Sequence, residues 1–172
     1  MRQFDGLASA EAEELSPILD AFARITWPAT AEVVPVFVEQ LGWDLLDARA
    51  AETTLSVSWR QAQFVMMNDG LAEVDLAITD SLTRDTVGEP GRQDALRAAY
   101  AAQKIVVREL LGESAGSRGG TFPTVWWDLA SGGRVHLTRL SMMVLLKLLS
   151  KSGADLERDE ARLGISPDRV VS

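Results

Sequence analysis

Apolar positions recur at helical spacing in the first fifty residues of the chain and at a spacing of two in the middle and again near the end. Between Ser9 and Ile25, Leu15, Ile18, Leu19, Phe22 and Ile25 share one helical face, and Ser9 stands where it can cap a first turn carrying Glu11 and Glu13. Pro17 lacks the amide proton that an interior turn needs, so the spacing predicts a helix over 9–25 with a break or bend near Ser16. Val33, Val34, Phe37, Val38 and Leu41 predict a second helix. Gly42 followed by Trp43 predicts its end, a left-handed cap with an apolar residue folding back. Asp44 to Glu52 reads as a short connection.

From Thr53 the period is two. Leu55, Val57 and Trp59 alternate with serines, and a second run, Ala62 to Met67, reaches Asn68-Asp69-Gly70, residues that accept positive φ and so predict a hairpin turn. Ala72, Val74, Leu76 and Ile78 then alternate with Glu73, Asp75 and Ala77, which predicts a third strand with one acidic, wet face. After a Gly/Pro-bearing loop, Leu96, Tyr100, Gln103, Val107, Leu110 and Leu111 mark a long helix over 93–111, stopped by Gly112. The glycine-rich segment 113–121 reads as a mobile connector. Val125, Trp127 and Leu129, then Val135, Leu137 and Arg139, then Met142 to Leu149 predict a second three-stranded meander. A short charged helix follows to Leu163, beginning after Gly153 with Asp155 as its cap, and the residues after Gly164 are expected to fray. The pattern is that of one α+β domain, residues 1–172. Its helical part is 1–52, and over 53–172 an antiparallel sheet of two three-stranded meanders is joined by further helices, so N-terminal, central and C-terminal helices flank the sheet.

Charge narrows the partners. The chain has 25 acidic and 17 basic residues, net −8, which opposes encounter with a phosphate backbone, so no nucleic acid is expected. Residues 1–52 carry 10 acidic and 3 basic side chains, net −7, whereas 93–150 carry 4 and 7, net +3. That asymmetry can steer a basic partner toward the N-terminal half, although solvated helix faces also account for it. No basic-then-apolar leader opens the chain, and the apolar run Met142–Leu146 is too short to span a bilayer, so the expectation is a cytoplasmic protein away from the membrane. The absence of cysteine fits a reducing compartment and excludes thiolate metal sites and cysteine nucleophiles.

Candidate chemistry is sparse. His136, the only histidine, lies on a strand one hairpin from Asp128, and such a pair can serve as general acid and base, but no serine stands in a nucleophile elbow. Glu73, Asp75, Asp80 and Asp85 lack the spacing of a calcium loop. Gly116-Ser117-Arg118-Gly119-Gly120 lacks the Lys-Ser/Thr ending of a phosphate loop and runs from helix into strand, the wrong order for one. The expectation is no catalytic, cofactor or metal site. Trp126 and Trp127, adjacent on a strand, must point to opposite faces, so one of them needs a covering helix or a partner protein.

Leu41-Gly42-Trp43, Leu110-Leu111-Gly112-Glu113, Phe122-Pro123-Thr124-Val125-Trp126-Trp127-Asp128-Leu129 and Arg134-Val135-His136-Leu137, in that order, resemble small actinobacterial immunity proteins of secreted polymorphic toxins. The architecture is also similar to secretion-chaperone-like α+β domains. The first resemblance implies one-to-one neutralisation of a cognate toxin by blocking its active site, with NAD-degrading toxins such as the tuberculosis necrotizing toxin as the target class. It transfers no inhibitory residue. From the sequence itself, the partner-binding candidates are the tip Asn68, Asp69 and Gly70, the acidic strand residues Glu73 and Asp75, and Ser117, Arg118 and Gly119 of the glycine-rich loop. A chaperone holding a partner segment, or a small enzyme using His136 and Asp128, are the alternatives.

Overall fold

The computed structural model describes residues 2–4 and 6–165. A short hairpin, β1 (Arg2–Phe4) and β2 (Leu7–Ser9), leads into α1 (Ala12–Ala23) and α2 (Val33–Gln40). An eight-stranded antiparallel sheet follows, with α3 (Arg92–Leu111) crossing between its halves and α4 (Lys151–Arg162) closing the chain. The fold class is α+β, with helices flanking an antiparallel sheet.

The sheet order is β3-β4-β5-β6-β10-β9-β8-β7, where β3 is Asp44–Asp47, β4 Ala50–Glu52, β5 Gln61–Met67, β6 Gly70–Ala77, β7 Gly116–Arg118, β8 Thr124–Asp128, β9 Arg134–Arg139 and β10 Val144–Leu149. The two meanders are thus one sheet, joined where β10 pairs β6 in the register Lys147↔Asp75 and Leu149↔Glu73. Each half has four strands rather than three. In the first half the predicted connection 44–52 is the hairpin β3–β4, so the N-terminal helical part already contains strands. In the second, the predicted mobile connector holds β7, paired Gly116↔Trp126 and Arg118↔Thr124.

The alternating run at Leu55 and Val57 is not a strand of the sheet. Both side chains are buried, but the backbone donors find carboxylates: Ser56 N–H donates to Glu14 Oε1 at 2.7 Å and Ser58 N–H to Asp80 Oδ1 at 2.7 Å. A two-residue period reports one-sided burial, and here the hydrogen bonds are supplied from α1 and from the segment after β6.

Local signals hold at the termini of α2 and α3. Gly42 has φ +64°, Trp43 N–H donates to Val38 O at 3.0 Å and Gly42 N–H to Glu39 O at 3.1 Å, the paired bonds of a Schellman cap. Trp43 then meets Phe37 edge-on at 5.8 Å, and Phe37 meets Phe64 of β5, so the cap seats α2 on the sheet. The α1 helix runs through Pro17 without ending, and begins at Glu11 rather than Ser9, with Glu11 N–H donating to Glu14 Oε2 at 2.8 Å. Ser9 lies buried in β2. α4 begins three residues earlier than its glycine suggests, because Ser150 Oγ accepts from Gly153 N–H at 3.2 Å. The predicted fraying after Gly164 falls, beyond Ile165, outside the described residues.

Helix α3 covers the β9–β10 face formed by Val135, Leu137, Leu146 and Leu148, all buried, with α1 packed against it. α4 lies on the opposite face, where Glu157 reaches Arg134 and His136. No helix among the described residues is long and apolar enough to cross a membrane.

Candidate functional site

Strand register sets the chemistry of the outer face. Trp126 of β8, His136 of β9, Lys147 of β10 and Asp75 of β6 pair in one row across four strands, with Gln63 of β5 beyond them. Asp128, Arg134, Leu149 and Glu73 form the neighbouring row. With α4 laid over the sheet, β7 to β10 form a cleft of about 580 Å³, lined by Phe122, Trp126, Leu140, Leu145, Ala161 and Ile165 and by the polar groups of Arg118, Arg134, His136, Lys147, Glu157 and Glu160. Its size is that of a small-ligand site.

Three of the charged groups there, Arg134, Lys147 and Glu157, have ion-pair partners. Arg134 is largely buried; its Nε donates to Asp128 Oδ1 at 2.8 Å and its Nη1 to Glu157 Oε2 at 3.1 Å. Arg158 of α4 adds bonds to Asp128 Oδ1 at 2.8 Å and Asp155 Oδ1 at 2.7 Å. Lys147 sits 3.2 Å from Glu73 Oε1 and 3.8 Å from Asp75 Oδ1. Burial raises the Glu157 carboxyl, yet His136 and Arg134 prevail and hold it below its usual value. Burial likewise opposes Asp128, but Arg134 and Arg158 keep that group low too. Asp75 goes the other way: burial pushes its carboxyl up, Glu73 adds to the rise, and Lys147 only partly offsets them. Its Oδ1 is buried without a hydrogen bond.

The predicted His136–Asp128 pair is not formed as a pair. The neighbour of His136 is Glu157, whose Oε2 lies 3.0 Å from Nε2 but out of line for a hydrogen bond. Asp128 is engaged by two arginines instead. Glu157 had a sequence signal only as one of several acids on a charged helix, because what brings it to His136 is the placement of α4. The described residues contain no group of three or more metal-ligating side chains. Trp127 is buried, donating its Nε1–H to Gly112 O at 2.9 Å, while Trp126 points the other way into the cleft, its ring 6.0 Å from the His136 ring and 5.7 Å from Arg134 Cζ.

The residues picked from sequence do not form one surface. The Asn68-Asp69 turn has φ +49° and +62° and joins β5 to β6, as predicted. Ser117 and Arg118 lie on β7, the far edge, with Gly119 just beyond; four inter-strand steps separate β7 from β6, about 19 Å. Glu73 and Asp75 sit mid-sheet, mostly buried, with Lys147 hydrogen-bonded to Glu73 and 3.8 Å from Asp75 Oδ1, so the acidic strand face is not open water-facing charge.

Open acidic charge gathers elsewhere. Leu71 N–H donates to Ala29 O at 2.9 Å and Gly70 bridges Thr30, which sets the 68–69 turn beside the start of α2. From there Glu32, Glu39, Asp44 and Asp47 are all exposed, and no lysine or arginine lies between Arg24 and Arg49. Val36, Leu45 and Leu46 stand among them at 53%, 46% and 51% exposure. The acidic half is visible in the sequence, but the strand at 44–47 is not, because four residues carry too little alternation to tell a strand from a connection.

A family model described as a family of unknown function, DUF6301, matches residues 13–150, and the chain belongs to that family. The match takes in the whole eight-stranded sheet with α2 and α3, and stops before α4. No curated protein and no solved structure matches the chain.

Proposed function

We propose that this DUF6301 member is a non-catalytic inhibitor of the immunity type, a cytoplasmic protein that binds a cognate secreted toxin one-to-one and occludes its active site. The observation that carries the reading is the exposed acidic run through α2 and β3, free of cationic side chains from 25 to 48 and interspersed with Val36, Leu45 and Leu46. Acidic rims speed and orient docking onto a basic cleft, and apolar centres hold the complex once formed. A toxin that degrades NAD, an anionic dinucleotide, needs such a basic cleft, which makes that class a suitable target.

The test is co-expression with the toxin encoded beside this gene, followed by co-purification. Rescue of growth and a 1:1 co-eluting complex are expected; failure of both removes the reading. A chaperone is the second reading, favoured by the cleft beneath α4 with Phe122 half exposed at its mouth. Binding to an unfolded segment of the partner with no effect on its activity would select it.

A further inference from the structure

We infer that the β3 edge docks an extended, lysine- or arginine-bearing segment of a partner protein, laid strand against strand along Asp44–Asp47. β3 is the first strand of the sheet, pairing β4 on one side with no strand on the other among the described residues. All four of its residues are exposed. Its register shifts between Leu45 and Asp47, leaving Leu46 without a partner on β4, and α2 packs beside it with Val36 and Glu39 exposed. An unpaired edge offers main-chain donors and acceptors to an incoming strand.

Charge chooses the occupant. A bulge and two aspartates are devices that turn away indiscriminate strands, and a second copy of β3 would set aspartate against aspartate. The opposite edge, β7, is three residues long with one cation, Arg118, too little to match Asp44, Asp47 and Glu39 together. A segment with cations at alternate positions satisfies both aspartates on one side and the backbone edge along its length, with apolar residues between them to meet Leu45 and Leu46.

This inference rests on the protein-binding reading above, and its test separates the two. The intact protein is titrated with the capped octapeptide Lys-Val-Lys-Val-Lys-Val-Lys-Val and, as control, its Glu-Val counterpart, with amide hydrogen exchange as the map. Protection at Leu45, Leu46 and Asp47 by the basic peptide, weakened by added salt, is expected. The exposed-site double variant Asp44→Asn with Asp47→Asn should bind about two- to thirtyfold more weakly, the range for losing two exposed ion pairs. Undiminished binding by that variant, protection confined to β7 or the α4 cleft, equal binding of the acidic peptide, or self-association of the free protein through β3 overturns the proposal. With the cognate toxin, a variant that still co-elutes and rescues as wild type overturns the edge but leaves the inhibitor reading standing. A wild-type protein that neither co-elutes nor rescues, while still protecting β3 with the basic peptide, overturns the inhibitor reading alone.

Discussion

The indole of Trp126 lies across Gly116, where a Cβ would come within 2.6 Å of Trp126 Cε2. The edge strand β7 can pair with β8 there only because residue 116 has no side chain. Gly116→Ala should therefore displace the indole or lift β7, at about 1–3 kcal/mol of overpacking. Urea unfolding with tryptophan emission checks it: a lower midpoint and a shifted native spectrum are expected. Gly119→Ala, with open space around it, should leave both unchanged.

Gln103 is the buried polar group of α3, donating its Nε2–H to Ser9 Oγ at 2.5 Å and to Ala10 O at 2.6 Å. It ties the N-terminal hairpin to the central helix. Gln103→Ala leaves buried acceptors unmatched and opens a cavity, so a loss of about 1–3 kcal/mol is expected for the polar part alone. Gln103→Met restores the volume but not the bonds, and a smaller loss for it than for alanine would separate cavity from hydrogen bonding.

The signals legible in the sequence are those completed within a few residues. The Gly42–Trp43 cap, the Asn68-Asp69 turn and the Gly112 stop each depend on local φ and nearby carbonyls, and all three stand where expected. What depends on distant partners was not legible. Leu55 and Val57 alternate because one side is buried, yet Glu14 and Asp80, 42 and 22 residues away, take the hydrogen bonds that a neighbouring strand would have taken. The glycines of 113–120 signal conformational freedom, but the need to accommodate Trp126 explains why a strand there starts with one. The site follows the same rule: β8 and β9 put Trp126 beside His136 by simple register, whereas the pairing of His136 with Glu157 comes from α4 folding back across the sheet.

Asp80 joins three segments through one carboxylate. Oδ2 accepts from Ala8 N–H at 2.9 Å and Oδ1 from Ser58 N–H at 2.7 Å, while its own N–H donates to Ala8 O at 2.9 Å. Asp80→Ala keeps only the last of these. Bonds to a charged acceptor are worth about 1.5–3 kcal/mol, so a loss of that order is expected, with faster amide exchange at Ala8 and Ser58. Unchanged exchange at both would show that the carboxylate does not hold them.

The ion pairs of α4 give it an acid-labile hold. Glu157 and Asp128 have their carboxyls held below their unfolded values, so each contributes stability above the unfolded pKa, and loses it as pH falls through the lower folded one. With unfolded values of 4.5 for Glu157 and 3.8 for Asp128, the loss should set in below about pH 4.5. Ala154 is the one fully buried residue α4 supplies, so little apolar packing backs those pairs. Glu157→Gln should flatten the acid limb of the stability curve. An acid limb as steep as that of wild type would assign it to other carboxylates.

Asp75 has the opposite sign. Its folded carboxyl is raised above the unfolded 3.8, so the protonated form favours folding: the favourable contribution is complete below pH 3.8 and disappears as pH climbs through the higher folded value. At neutral pH the ionised group is a burden, with a buried Oδ1 that no hydrogen bond satisfies and Glu73 competing for the same Lys147 ammonium. Asp75→Asn removes the charge at nearly constant volume and leaves Lys147 paired with Glu73. The variant should therefore be more stable than wild type near pH 7, and the two curves should converge on acidification toward pH 3.8. Thermal unfolding at several pH values measures the difference. A variant less stable than wild type at pH 7 would mean that the Lys147–Asp75 attraction at 3.8 Å outweighs the burial of the carboxylate.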